Sequence, residues 1–239
     1  MERLQKVIAK AGITSRRKAE DLIINNRVRV NGSIINELGY KVSSKDSIKV
    51  DNKALKFQQT VYYLLNKPKN ILSTTSDDRN RKTCIDLIDD NKRIYPIGRL
   101  DYDSSGLLLL TNDGDFTNLM LHPRYHLVKK YDVTINGILD NQMISTLQNG
   151  IIIDGYKTKP CKIKIQYQDN EKNITVLYIS LKEGRNRQIK KMMEYYNFKV
   201  IKLHRIEFGN LNLGKLKHGE YRKLKKDEIN SLINLTLRK

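Results

Sequence analysis

The stretch from Tyr95 to Gly114 constrains this chain most. It sets a polar loop, Gly98-Arg99-Leu100-Asp101-Tyr102-Asp103-Ser104-Ser105, against an unbroken run, Leu107-Leu108-Leu109-Leu110. A run this short, lying between glycines and without alternation, suits a strand buried on both faces, although length alone leaves a buried helical turn open. A central strand would place Asp101 in a rigid loop beside Arg99, and loops on rigid scaffolds are where reactive groups commonly sit. Taken alone, Asp101 and Asp103 read more simply as turn formers, because Asp readily hydrogen-bonds its own backbone.

The charge balance narrows the partner. Lys and Arg number 45 against 26 Asp and Glu, a net charge of +19 with no low-complexity tail to absorb it. A folded chain of this kind most often binds a polyanion, nucleic acid first. No apolar run approaches the ~20 residues of a membrane span, and no basic amphipathic anchor helix stands out, so a membrane is not expected. Met1 to Lys6 carries polar residues where a signal peptide needs its apolar core, and the use of only two, distant cysteines fits a reducing cytoplasm, where the protein is expected. Cys84 and Cys161 lie far apart and form no disulfide framework, and with four scattered histidines they give no metal-ligand spacing. His122 and His126 share a helical offset, but Pro123 between them argues against a regular helix. No P-loop, dinucleotide glycine fingerprint or His-Glu-x-x-His occurs. Any catalysis is therefore expected to run on ordinary side chains, with no metal and no cofactor.

Residues 1–59 read as a small RNA-binding module of their own. Leu4, Val7, Ile8 and Ala11 share a helical face that Gly12 ends. Thr14 or Ser15 can cap a second helix with Ala19, Leu22 and Ile23 facing the core and Arg16, Arg17 and Lys18 exposed at its start. Arg27 to Ile35 alternates into Asn31-Gly32, the strongest short hairpin signal, and a strand at 47–50 follows. Arg16, Arg17, Lys18, Arg27 and Arg29 make one basic face. Residues 60–239 read as a larger unit with strands at 61–65, 129–135, 162–166, 174–181 and 199–208. Helices are expected near 115–120, 141–148 and 188–193, with Asp115 and Asp227 as caps of the first and of a terminal helix. Strands dominate and helices interleave irregularly, which predicts an α+β fold with a mostly antiparallel mixed sheet flanked by helices and loops.

Three pieces of the larger unit could converge on chemistry. Asp101 offers a carboxylate that can act as nucleophile or base. The segment Glu183-Gly184-Arg185-Asn186-Arg187-Gln188-Ile189-Lys190-Lys191 brings cations into a helix, and a cation beside a carboxylate keeps it ionised. Tyr131 offers a ring that can stack on an extruded base, although such a tyrosine is as often a core residue. The residues alone lead to a two-domain RNA binder with a possible carboxylate site.

Residues 1–59 resemble an S4 domain, through Ser15-Arg16-Arg17-Lys18-Ala19 and Arg29-Val30-Asn31-Gly32. Lys67-Pro68-Lys69, Gly98-Arg99-Leu100-Asp101 through Gly114, His122-Pro123-Arg124, Lys129 to Val133 and Glu183 to Met192 follow in the order seen in pseudouridine synthases of the RsuA/RluB family. The chain resembles that family over essentially its whole length, departing at Asn70 and Asn80, where members usually carry glycine. The resemblance implies isomerisation of uridine to pseudouridine in ribosomal RNA or pre-ribosomal particles, by a monomer. Asp101 would be the catalytic carboxylate, Tyr131 the stacking ring and general base, and Lys190 the cation paired with the aspartate. Arg99 would help displace the target base, and Leu100, Arg185 and Arg187 would contact RNA. The first 53 residues look more like the RluB branch, acting on large-subunit 23S RNA, than the small-subunit branch acting on 16S RNA. A noncatalytic ribosome-assembly protein would be expected to lack Asp101, Tyr131 or Lys190, and all three are present. A glycosidase would need a second acid, for which Asp103 is the sequence candidate, but the charge disfavours a neutral sugar.

Overall fold

The computed structural model describes residues 1–237, which form two compact units. The first comprises residues 1–61 with two short later segments, 90–94 and 112–114; the second takes the rest.

In the first unit, β1 (Glu2–Arg3) leads into α1 (Leu4–Lys10) and α2 (Arg16–Ile24). Gly12, at φ +82°, turns the chain after α1. Ser15 caps α2, its hydroxyl accepting from the Lys18 N–H. Then β2 (Val28–Val30) and β3 (Ser33–Ile34) form a hairpin whose turn residues, Asn31 and Gly32, both have positive φ, as the sequence requires. After β4 (Lys41–Val42), β5 (Ile48–Val50) and β6 (Lys53–Ala54) turn through Asp51 and Asn52, both also left-handed. The sheet order is β3-β2-β5-β6, and a separate pair joins β1 to β4. Leu4, Ile8, Ala19, Ile23 and Val28 are wholly buried and hold the unit together. The β1–β4 pair was not foreseen, because two residues carry no periodicity.

The second unit is built on one sheet. Its strands are β7 (Tyr62–Lys67), β8 (Tyr95–Ile97), β9 (Ser105–Thr111), β10 (Lys129–Asn136), β13 (Lys162–Asp169), β14 (Ile174–Leu181), β15 (Val200–Phe208), β16 (Leu211–Asn212) and β17 (Tyr221–Lys223), while β11 (Ile152–Ile153) and β12 (Tyr156–Lys157) form a small separate hairpin. The order is β13-β14-β10-β15-β9-β7-β17, with β8 on β9 and β16 on β15. Every pairing is antiparallel except that of β15 with β9. The helices are α3 (Gly114–Leu121), α4 (Asn141–Asn149), α5 (Gln188–Glu194) and α6 (Lys226–Leu237).

The leucine run is the centre of this sheet, and all seven residues of β9 are buried. Leu107 and Leu109 pack with Leu64, Phe116, Met120 and Phe208 under α3 and α6, while Leu108 and Leu110 point to the opposite face. Burying each leucine contributes about 1.5–3 kcal/mol. Two caps differ from expectation. α3 already begins at Gly114 and α6 at Lys226, so Asp115 and Asp227 lie inside the first turns, where a carboxylate still suits the helix dipole. Glu228, not Asp227, closes the start of α6, accepting from the Lys225 N–H at 2.8 Å. Asn70 and Asn80 both adopt positive φ, 63° and 54°. Asparagine is among the few residues other than glycine that tolerate this region, so neither departure disturbs its turn.

Candidate active site

Three adjacent strands bring the candidate residues into register. Gly106 of β9 pairs with Arg205 of β15, and Arg205 pairs in turn with Tyr131 of β10. The loop from β8 to β9 therefore opens two strands away from Tyr131. A side chain at 106 would not fit: its Cβ would fall 2.3 Å from the Arg205 backbone oxygen, and φ is +112°. Glycine is what lets β9 and β15 meet at this parallel crossing.

A small cleft lies over this crossing. It is lined by Arg99, Leu100, Asp101 and Ser104 from the β8–β9 loop, Tyr131 from β10, Leu181 from β14, Leu203 from β15, and Gly184, Arg185, Arg187, Gln188 and Ile189 from the approach to α5. Tyr131 and Leu100 are nearly buried, Asp101 is half-buried, and Arg99, Arg185 and Arg187 are exposed at the rim. The arrangement offers an ionisable carboxylate and an aromatic ring in an apolar-floored slot with cations around its mouth.

Lys190 enters from the first turn of α5. It is buried, with its ammonium 3.3 Å from Asp101 Oδ2 and 2.5 Å from Asp103 Oδ1. Sequence reasoning left Asp103 as a turn former; its carboxylate is in fact the nearer partner of Lys190. Burial pushes the Asp103 carboxyl up, but the hydrogen bond and charge of Lys190, with Arg187 nearby, outweigh it and hold the group below its ordinary value.

The approach to α5 is braced by its own residues. Gln188 is buried, its Oε1 accepting from the Arg185 N–H and its amide donating to Glu183 Oε1 at 2.7 Å. Arg187 adopts a left-handed conformation, φ 51°, at the turn into the helix. The guanidinium of Arg185 lies over the Tyr156 ring of the β11–β12 hairpin, 3.1 Å from its centroid, an arrangement that tethers the cation at the cleft rim. Beneath the sheet face, Arg205 is buried with its Nε donating to Leu107 O at 2.7 Å.

In the first unit, Arg16, Arg17 and Lys18 are exposed in the first turn of α2. Cations at the positive end of a helix are unfavourable by themselves, and they become favourable when an anion is held there. Arg29 is half-buried, its guanidinium donating to Gly32 O, and Arg27 is paired in a bidentate manner with Asp51. Arg27 is thus a member of the hairpin's structure as well as of the basic face.

Comparison with known proteins assigns the family. Residues 61–195 match the RNA pseudouridylate synthase family, and residues 2–48 match the S4 domain. The chain is 46% identical, over 97% of its length and 96% of the relative's, to the ribosomal large subunit pseudouridine synthase B of Bacillus subtilis. It is 38% identical to the dual-specificity RNA pseudouridine synthase RluF of Salmonella typhi, over 98% of this chain and 79% of that one. A crystal structure of a pseudouridylate synthase superposes with a TM-score of 0.70 at 31% identity, covering 97% of this chain and 100% of that chain. With more than half of its length inside the family match and its fold shared with a solved member, this chain belongs to the RNA pseudouridylate synthase family and carries an S4 domain at its start.

Proposed function

We propose that the substrate is large-subunit ribosomal RNA, and that Asp101, Tyr131 and Lys190 carry the isomerisation of uridine to pseudouridine. The choice of RNA rests on the relative that is 46% identical and named for the large subunit. The site assignment rests on one observation: Asp101 and Tyr131 line the same cleft, with the Lys190 ammonium 3.3 Å from the Asp101 carboxylate.

The reaction breaks the N1–C1′ glycosidic bond and joins C1′ to C5; the proton leaves C5 and N1 gains one. Nothing is oxidised, reduced or hydrolysed, so the chemistry asks for a carboxylate, a base and a held pyrimidine. The carboxylate of Asp101 assists bond cleavage either by attacking C1′ or by taking a proton from the ribose, and both routes set it on the sugar side of the slot. Lys190, 3.3 Å away, orients that carboxylate. The detached uracil stays stacked on Tyr131 while it turns to present C5, and the Tyr131 oxygen takes the C5 proton as it gives up its own hydroxyl proton to solvent. The target base must leave its stack at a cost of a few kcal/mol. Arg99, Arg185 and Arg187 at the rim offset this by contacting the phosphates and the vacated position, with Leu100 closing the floor. Arg16, Arg17, Lys18 and Arg29 of the S4 domain bind the RNA elsewhere along its backbone. We read the enzyme as a cytoplasmic monomer acting on rRNA or pre-ribosomal particles, with residues 1–59 as its RNA-binding part and 60–239 as its catalytic part.

The test is to map pseudouridine across both ribosomal RNAs in cells deleted for the gene and complemented with wild type or Asp101→Asn. One or a few large-subunit positions are expected to disappear in the deletion and to return with wild type alone. Loss confined to small-subunit RNA would overturn the substrate, and full restoration by Asp101→Asn would overturn the site.

A further inference from the structure

The backbone around Asp101 is held from both sides. Tyr102 O accepts from the Asn70 N–H at 2.7 Å, and Asp101 O accepts from the Ser104 N–H at 3.0 Å. On the other side a single side chain does the work: Ser73 Oγ donates to Leu100 O at 2.8 Å and accepts from the Leu100 N–H at 3.1 Å. Ser73 is buried, as is Leu100, so these groups have no access to solvent as a substitute. The bracket is made of main chain except at Ser73, which makes that hydroxyl the member a substitution can remove.

Ser73 is also firmly placed, so it sets the loop's position and does not follow it. Upstream, the wholly buried Lys67 donates to Ile71 O at 2.8 Å. Beside it, the Leu72 N–H donates to Lys82 O and Leu72 O accepts from the Cys84 N–H at 2.8 Å. These contacts anchor the two residues immediately before Ser73.

We propose that Ser73 is a positioning residue for the isomerisation, fixing the main chain at Leu100 so that the Asp101 carboxylate meets the ribose in register. This rests on the assignment of Asp101 as the catalytic carboxylate. A misplacement of about 1 Å in a reacting group can cost on the order of 100-fold in rate while leaving distant binding contacts intact. Ser73 is not itself a lining residue and reaches the cleft only through the Leu100 main chain, so its loss acts on the rate and not on RNA affinity.

The experiment uses the full-length chain and rRNA from the deletion strain labelled with tritium at uridine C5, which is released as the C5 proton leaves. Single-turnover rate, RNA dissociation constant and thermal midpoint are measured for wild type, Ser73→Ala, Ser73→Thr and Asp101→Asn, with rates taken well below each midpoint. Ser73→Ala is expected to lose about 10- to 100-fold in rate with affinity within about twofold of wild type. Ser73→Thr, or Ser73→Cys if the added methyl unfolds the protein, is expected to recover most of that rate. A Ser73→Ala rate within twofold of wild type overturns the proposal, and so does a parallel loss of affinity or a loss that neither hydroxyl nor thiol restores. Wild-type rates from Asp101→Asn would overturn the Asp101 assignment itself, whatever Ser73→Ala does.

Discussion

Lys190 serves two carboxylates, and the nearer is the one that sequence reasoning set aside. Asp101, Tyr131 and Lys190 are legible as candidates because each sits in a segment whose residue order is distinctive. The Lys190–Asp103 contact spans 87 positions, and spacing along a chain carries no distance information at that range. Ser73 was illegible for the same reason, being one serine in a polar stretch whose partner is a backbone 27 residues away. A half-buried histidine makes a pH-dependent contribution to stability. His204 Nδ1 lies 2.9 Å from Ser105 Oγ, beside the crossing of β9 and β15. Burial first, then the charges of His218 and Lys202, push its imidazole down to about 4, against a smaller opposing effect of Asp132. The folded protein thus keeps His204 neutral where the unfolded chain takes up a proton, so stability is lost as pH falls from about 6.5 towards 4. Urea unfolding at a series of pH values should show wild type losing about 1–3 kcal/mol more than His204→Gln across that window. Equal acid slopes would contradict it.

At the scale of elements, periodicity decided what could be foreseen. The long strands β10, β13, β14 and β15 and the helix α4 fell within a few residues of their expected bounds, because alternation and helical spacing report on several positions at once. The two-residue strands β1 and β4 and the hairpin of β11 and β12 gave no such signal. The parallel junction of β9 with β15 could not be read either, since pairing direction follows from how the chain returns and not from local pattern. That junction nevertheless underlies the candidate site, and the two backbones approach closely there at Gly106. The backbone of Arg205 is fixed in the sheet and cannot yield to a Cβ placed 2.3 Å from its oxygen. Gly106→Ala is expected to cost about 3–5 kcal/mol, combining overpacking with an unfavourable positive φ. Denaturant midpoints check this, and a loss under 1 kcal/mol would show that the strands can part cheaply.

At the scale of the whole molecule, charge identified the class of partner before any fold was known. A net charge of +19 spread over a folded chain points to a polyanion, and the family match assigns the chemistry done on it. The exposed Arg16, Arg17 and Lys18 place part of that charge on the S4 domain. If they contact phosphates, Arg16→Ala/Arg17→Ala should weaken rRNA binding and flatten its salt dependence by about one to two in the log–log slope. An unchanged slope would show this face to be idle.

The central claim is that the half-buried carboxylate in the cleft drives an isomerisation with side chains alone. It is tested most directly by tritium release from C5-labelled rRNA of the deletion strain, with purified protein, a metal chelator and no added coenzyme. Wild type should release tritium in proportion to pseudouridine formed. Asp101→Asn should bind the same RNA within a few-fold and release tritium at least about 1,000-fold more slowly, as removal of a group on which the chemistry depends requires. Release by Asp101→Asn at a rate near wild type, or release by wild type that the chelator abolishes, would contradict the account.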